Sequence, residues 1–546
     1  MKAGFRQRMG ALHTWCGLSC GWLLCAIFLT GTLSVFREPI TRWMQAKPQL
    51  AASAGLDIQA LDSAVRHLQA QAPAAAFWRL ELPAQAGDAL ELFWRTPAGP
   101  QHAAMDPATG ALLPLPWGRQ TEGGRHFMSF HYTLHGGMAG FWLVGWIAMC
   151  ALVALVSGVV VHKRIFQDFF TFRPGRGQRA WLDAHNATAV LTLPFLFMIV
   201  YTGLAFFYSS YMPLPLRAVY GWDAQAHGRY QAELGPQAGA RRQRSGQPAA
   251  LPALAPLLQA AEALNGGPAS MLFVERPGDA SLVVRVFARA GDTADTRTLL
   301  NPRASVAFDA SGAVLERRGP DPAAAHAVRD AHHVVESLHV VAFGGWTMKW
   351  LYFVSGLVGT LMVATGVLLF SVKRRQRSAQ EFGALTARVY RVVEALNVAA
   401  LAGTVLASIA YLYANRLLPA GLAGRADWEI RAFLLVWLAS ALHALARQPA
   451  RALVEQLGCA AWLCLGLPLL NWATTGQGWW RYLAAADWQR AGVELVAMAL
   501  GLLLAAAAWR TRRTWRSAAA GRRPAGGAPA ASAVPAAPRA RARTVS

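Results

Sequence analysis

Eight stretches of the chain carry enough unbroken apolar sequence to cross a bilayer, because about 20 mostly apolar residues span the ~30 Å hydrocarbon layer. The pattern predicts four at about 14–36, 138–161, 188–212 and 345–372, and four more at about 393–414, 430–446, 452–473 and 490–509. Two long loops, about 37–136 and 213–343, interrupt the first four with a different pattern. Residues 56–72 place apolar side chains at helical spacing, whereas 77–83, 89–96 and 101–106 alternate as strands do. The turn Asp106-Pro107-Ala108-Thr109-Gly110 closes that run. The second loop repeats the order: a helix near 251–264, strands near 271–275, 281–288 and 304–309, and the turn Asp309-Ala310-Ser311-Gly312. Asp, Pro and Gly at these points are turn chemistry, not a metal loop. The expected fold is an α-helical integral membrane protein of about eight transmembrane helices, with two small α+β extracytoplasmic domains forming an internal repeat.

The expected division follows. A first helix (1–37) leads into the first loop domain (38–136), then helices two and three with a basic loop between them (137–212). The second loop domain (213–343) precedes helix four (344–377), a C-terminal extension of about four helices (378–513) and a tail (514–546). The first helix opens like a signal peptide, but it is long and runs into Phe36-Arg37-Glu38-Pro39 without a small-residue cleavage site, so a retained anchor is expected. From Ala518 the chain is an Ala/Pro/Arg run of low complexity, expected to be disordered.

Composition agrees with a membrane chain. Charged residues make up 15% of the 546 and hydrophobic ones 54%, against about 25% charged in soluble domains. The net charge of +23 would suggest a polyanion partner in a soluble protein. Here the basic residues fall at alternate helix ends: Lys2, Arg6 and Arg8; His162-Lys163-Arg164 on to Arg179; Lys373-Arg374-Arg375; Arg447 and Arg451; Arg510, Arg512 and Arg513. By the positive-inside rule these ends and both termini are expected to be cytoplasmic and the two loops extracytoplasmic. Anionic membrane lipid is the expected polyanion partner, not nucleic acid. All six cysteines lie inside apolar helices, so the loops hold no disulfide framework.

The repeat extends into the helices. His13 precedes Thr30-Gly31 by the same interval that separates His185 from Thr202-Gly203. On the return helices His131 lies as far before Gly158 as His339 lies before Gly366. Certain strings then stand out: L-H-T-W-C-G-L from Leu12, D-P-A-T-G from Asp106, F-H-Y-T-L-H from Phe130, V-H-K-R-I-F-Q-D-F-F-T-F-R-P from Val161, W-L-D-A-H-N from Trp181 and L-H-V-V-A-F-G-G from Leu338. In order and spacing these resemble the PepSY-associated transmembrane family, which includes iron-regulated inner-membrane proteins and ferric-siderophore reductases. The resemblance covers about 1–377 and leaves the last four helices outside. It implies a haem-binding four-helix bundle carrying two PepSY-like outer domains.

Histidine is the candidate chemistry. His13, His131, His135, His162, His185, His332 and His339 cluster at helix ends, where ionisable residues tend to be functional and neutral imidazole is a strong haem ligand. His13 and His185 form an inner layer and His131, His135 and His339 an outer one, with His332 seven residues before His339. His131 and His135, at i and i+4, are expected to share a helix face. From His135 to His162 the second helix would run about 40 Å at ~1.5 Å per residue, so two b-type haems are expected. The repeat-related set His13, His131, His185 and His339 is read as the iron ligands. An isolated interfacial histidine is ordinarily a snorkelling or capping residue, and His162, inside a basic flank, is open to that reading. His67, His102, His227, His326, His333 and His443 join no constellation.

No G-x-G-x-x-G, P-loop or H-E-x-x-H occurs in the right context, so electrons would come from a quinol or a separate cytoplasmic donor. The leading expectation is a haem electron-transfer protein that reduces a periplasmic ferric complex such as a ferric siderophore, a ferric reductase-type oxidoreductase. The alternative is a non-enzymatic adaptor whose outer domains bind or regulate a periplasmic partner. A transporter is disfavoured by the near absence of acidic residues from the first four spans.

Overall fold

The computed structural model describes residues 3–50, 56–97, 99–162, 178–223, 225–234, 244–289, 299, 304–319, 327–382 and 384–520. Most of the basic loop after His162, and the tail from 521, lie outside these residues.

Eight helices among the described residues are long and apolar enough to span a membrane: Gly4–Ser34, Gly137–Val161, Leu182–Phe206, Gly345–Ser371, Arg388–Leu417, Arg425–Ala446, Pro449–Thr475 and Trp488–Trp515. Each is apolar over most of its length, which suits a helix surrounded by lipid or protein. The third begins and ends earlier than the hydropathy run suggests. Its chain turns at Phe207 and continues as the short helices Tyr208–Tyr211 and Pro213–Tyr220, Pro213 taking a first helical position, where a missing N–H costs nothing.

We label the elements that carry the argument: α1 (Ala3–Ser34), α2 (Arg37–Gln45), α3 (Ile58–Gln71), β1 (Phe77–Glu81), β2 (Leu90–Thr96), β3 (Gly99–Met105), α4 (Arg125–Thr133), α5 (Gly137–Val161), α6 (Gln178–Phe206), α7 (Leu254–Asn265), β4 (Ala269–Glu275), β5 (Val283–Ala288), β6 (Ser305–Phe308), β7 (Val314–Arg318), α8 (Ala327–Val340) and α9 (Gly345–Phe382). The extension adds α10 (Ala384–Val398, a π turn Ala399–Gly403, then Thr404–Leu417), α11 (Arg425–Ala446), α12 (Pro449–Thr475) and α13 (Trp488–Ala520).

The bundle closes as a ring, α1 packing on α5 and α9, and α6 on the same two helices. The two loop modules share one seven-stranded antiparallel sheet of order β3-β2-β1-β4-β5-β6-β7. Their joint is the β1–β4 pair, with Phe77 opposite Glu275 and Glu81 opposite Met271. Trp78, Leu80, Leu92, Leu272, Val274 and Val286 turn one sheet face into a core beneath α3 and α7. The turn at Asp309 opens a further strand, β7, paired with β6. Its side chains stay largely exposed, so the alternation that reveals a half-buried strand is missing there.

The extension is welded to the rest by buried polar groups. The Arg416 guanidinium lies 3.7 Å above the Trp43 ring and donates to Asn471 Oδ1 at 2.7 Å and to the Trp43 carbonyl at 2.6 Å. Arg425 pairs with Glu429 one turn along α11, both buried. Glu494 of α13 accepts from Trp43 Nε1 at 3.0 Å.

Candidate functional site: paired histidines at two levels of the bundle

Each repeat-related histidine leans on a glycine of the neighbouring helix. A β-carbon added to Gly31 would lie 2.6 Å from His131 Nδ1, and one on Gly158 would lie 3.0 Å from His13 Cε1. In the second unit Gly203 faces His339 at 2.8 Å and Gly366 faces His185 at 3.0 Å. The matched intervals in the sequence thus encode reciprocal contacts: α1 supplies His13 and the seat for His131, α5 the seat for His13. The missing side chain also bares the helix wall. Nδ1 of His13 reaches the Ala154 carbonyl at 2.8 Å, that of His131 the Ile27 carbonyl at 2.9 Å, and that of His185 the Met362 carbonyl at 2.9 Å. Each carbonyl lies four residues before its glycine. His339 follows suit with the Ile199 backbone and with Thr202 Oγ1 at 3.1 Å.

A carbonyl only accepts, so Nδ1 of these rings carries the proton and Nε2 keeps its lone pair. This is the tautomer of a metal-bound imidazole oriented by a carbonyl partner. The rings also pair across the two units. His13 and His185 have centroids 6.2 Å apart with planes at 63°, and His131 and His339 are 6.2 Å apart at 30°. Each spacing leaves room for one metal ion between two imidazoles, given N–metal bonds of about 2.0 Å, so the residues present fit an iron that each pair would hold. Burial pushes the His339 imidazole down to about 3 and lowers that of His131, so both are neutral at pH 7, as ligation requires. Along α1, His13 and the Gly31 seat of His131 are about 27 Å apart at ~1.5 Å per residue, close to the ~30 Å thickness of the hydrocarbon.

The other candidates stand apart from these pairs. His135 does not share a helix face with His131: α4 ends at Thr133, and Leu134 and His135 adopt positive φ of 51° and 53°. His135 Nε2 instead lies 2.9 Å from His126 Nδ1. His332 stacks on Phe206 at 5.7 Å and 12°, with a buried Nδ1 lacking a hydrogen-bond partner. It lies two helical turns, about 10 Å, from His339. His162 ends α5, its N–H donating to the Gly158 carbonyl.

Sequence reasoning passed over His126, which is fully buried, stacked on Tyr411 at 4.2 Å and edge-on to Phe433 at 4.6 Å. Its spacing from His135 follows no helical period, and it has no counterpart in the second unit, where Val334 stands. Outside the bundle, the open face of the sheet carries Phe93, Phe77 and Phe273 in a stacked row across β2, β1 and β4, with Arg79 4.5 Å above Phe93.

A duplicated helix pair carrying His and Gly in register, joined to α+β loop modules, defines a class of membrane protein. The chain belongs to the PepSY-associated TM region family, whose pattern it matches over residues 11–373. It is also similar to the uncharacterized protein PA4219 of Pseudomonas aeruginosa, with 26% identity over 396 residues, 71% of this chain and 94% of that one.

Proposed function

We propose that this chain is a transmembrane electron-transfer protein that reduces a ferric complex, such as a ferric siderophore, on the side of the sheet. His13 with His185, and His131 with His339, would each hold one b-type haem through Nε2. Such a haem supplies a one-electron couple within a low-dielectric medium where mobile ions are costly. The observation that carries the reading is the pair of 6.2 Å imidazole spacings, each with Nδ1 engaged by the opposite wall.

The protein's own contribution is orientation. The Gly seats and carbonyl partners fix four imidazoles on rigid helices. The positive-inside argument puts His13 and His185 toward the cytoplasm, where a quinol or a soluble reductant would deliver electrons. Phe77, Phe93, Phe273 and Arg79 form a surface that suits an aromatic or anionic chelate. The same surface favours a second reading, a non-enzymatic adaptor that binds a protein partner through the sheet.

The test is ferric-chelate reduction by the full chain in sealed proteoliposomes. With a quinol or inner-face donor, His13→Ala and His185→Ala should abolish reduction, whereas a donor reaching the outer face should still support it. Wild-type rates in those variants from the inner donor would defeat the series arrangement and return the inner pair to a structural role.

A further inference from the structure

The two outer ligand helices, α4 and α8, are held in different ways, and the difference assigns a role to the C-terminal extension. In the second unit the support comes from within the bundle, Tyr352 Oη of α9 donating to the Leu338 carbonyl next to His339 at 2.8 Å. The equivalent position on α5 is Val144, which has no hydroxyl. In the first unit, α4 turns His131 toward α1 and buries His126, Phe127 and Phe130. The groups that receive them belong to the extension. Tyr411 covers His126 and Phe127, Phe433 meets His126 and Phe130, and Trp437 meets Phe130 at 5.5 Å. Tyr411 Oη also donates at 3.0 Å to the Gly123 carbonyl, just before α4 begins.

The end of α4 needs such support. Two successive non-glycine residues, Leu134 and His135, take the left-handed conformation before Gly136-Gly137, a backbone state that persists only when its surroundings over-determine it. The His135–His126 hydrogen bond ties that turn back onto α4, and the extension holds His126 from behind.

We propose that the extension is the positioning element of the outer haem site: Tyr411 and Phe433 fix His126, His126 fixes His135, and this lock sets the orientation of His131. The proposal rests on the reading that His131 would hold the outer haem iron. His126, His135, Tyr411 and Phe433 are positioning residues, since none of them belongs to either of the two facing imidazole pairs. The arrangement makes the outer site asymmetric, with the His131 side held by α10 and α11 and the His339 side held by α9.

The test uses the full-length protein in nanodiscs, with haem quantitation, electron paramagnetic resonance of the oxidised haems and potentiometric titration. His126→Leu, which keeps bulk but cuts the bond to His135, and Phe433→Ala should each weaken outer-haem binding by roughly 10–100-fold, the usual effect of losing a ligand's supporting partner. The outer haem's signal and potential should shift while the inner haem's stay at wild-type values. His126→Gln, which can still bond to His135, should restore the outer signal at least in part. Two unaltered haems in His126→Leu and Phe433→Ala, or equal loss of both haems, would overturn the proposal. A wild-type protein that binds no haem would instead defeat the underlying reading, so the two failures are distinguishable.

Discussion

Replacing Gly31 with alanine adds one methyl group where the His131 imidazole rests. The new carbon would stand 2.6 Å from Nδ1 and 2.7 Å from Cε1, so about 0.9 Å of retreat is needed to regain an ordinary contact of ~3.5 Å. That movement also pulls Nδ1 from the Ile27 carbonyl, which it reaches at 2.9 Å. Helix propensity works the other way, since alanine in a helix interior is favoured over glycine by ~1 kcal/mol. Overpacking of a tight site costs ~1–3 kcal/mol, so thermal stability should change little or fall modestly. The haem should respond far more, because catalytic and ligand geometry tolerates only ~0.5 Å of displacement. Gly17 lies on the same helix with nothing within 4 Å of an added carbon, which makes Gly17→Ala the control. Reduced-minus-oxidised spectra with haem quantitation should show the outer haem depleted in Gly31→Ala and both haems intact in Gly17→Ala. Gly158→Ala, with its milder 3.0 Å contact, should disturb the inner haem by a smaller amount. Wild-type haem content and potentials in Gly31→Ala would refute the seat argument.

Three further outcomes follow from the structure. Arg425→Met should destabilise the extension by ~3–5 kcal/mol, because it leaves the buried Glu429 carboxylate without its countercharge, with Asn415 and Thr121 still donating to it; chemical denaturation of the detergent-solubilised chain measures this, and a loss under ~1 kcal/mol would contradict it. Burial holds the His126 imidazole down at about 3, so the unfolded chain, titrating near 6.5, binds more protons below that pH; the share of stability due to His126 should be complete above pH ~6.5 and fall by about 2 kcal/mol by pH 5, a share that His126→Leu should remove from the slope in thermal unfolding, and an unchanged slope in that variant would contradict the reasoning. Reporter fusions after Arg119 and after Arg377 should report opposite compartments, and matching compartments would break the assignment of two faces to the histidine layers.

The candidate site was legible because its logic is periodic. His13, His131, His185 and His339 keep their distances to glycines through a duplication, and only the reason for the glycines, a seat and an opened carbonyl, needed the structure. The loop-module helix α3 and the strands β1 and β2 were legible for the same cause, since α3 buries one face and the two strands alternate buried with less buried positions. The joining of β1 to β4 was not, because edge pairing between modules leaves no mark on the alternation of either strand. His135 was misplaced by a helix continued past Thr133, where Leu134 gives no sign of the left-handed turn. His126 was passed over because its partners, Tyr411 and Phe433, lie far along the chain in a different part of the sequence pattern.

Haem content per chain tests the central claim most directly. The full-length protein, purified from haem-replete cells, should carry two b-type haems, and a dithionite-reduced-minus-oxidised spectrum should show bis-histidine, low-spin bands. His339→Ala should reduce the count to one and His13→Ala should likewise leave one, of the other kind. A colourless wild-type protein, or full retention of haem in both variants, would contradict the account.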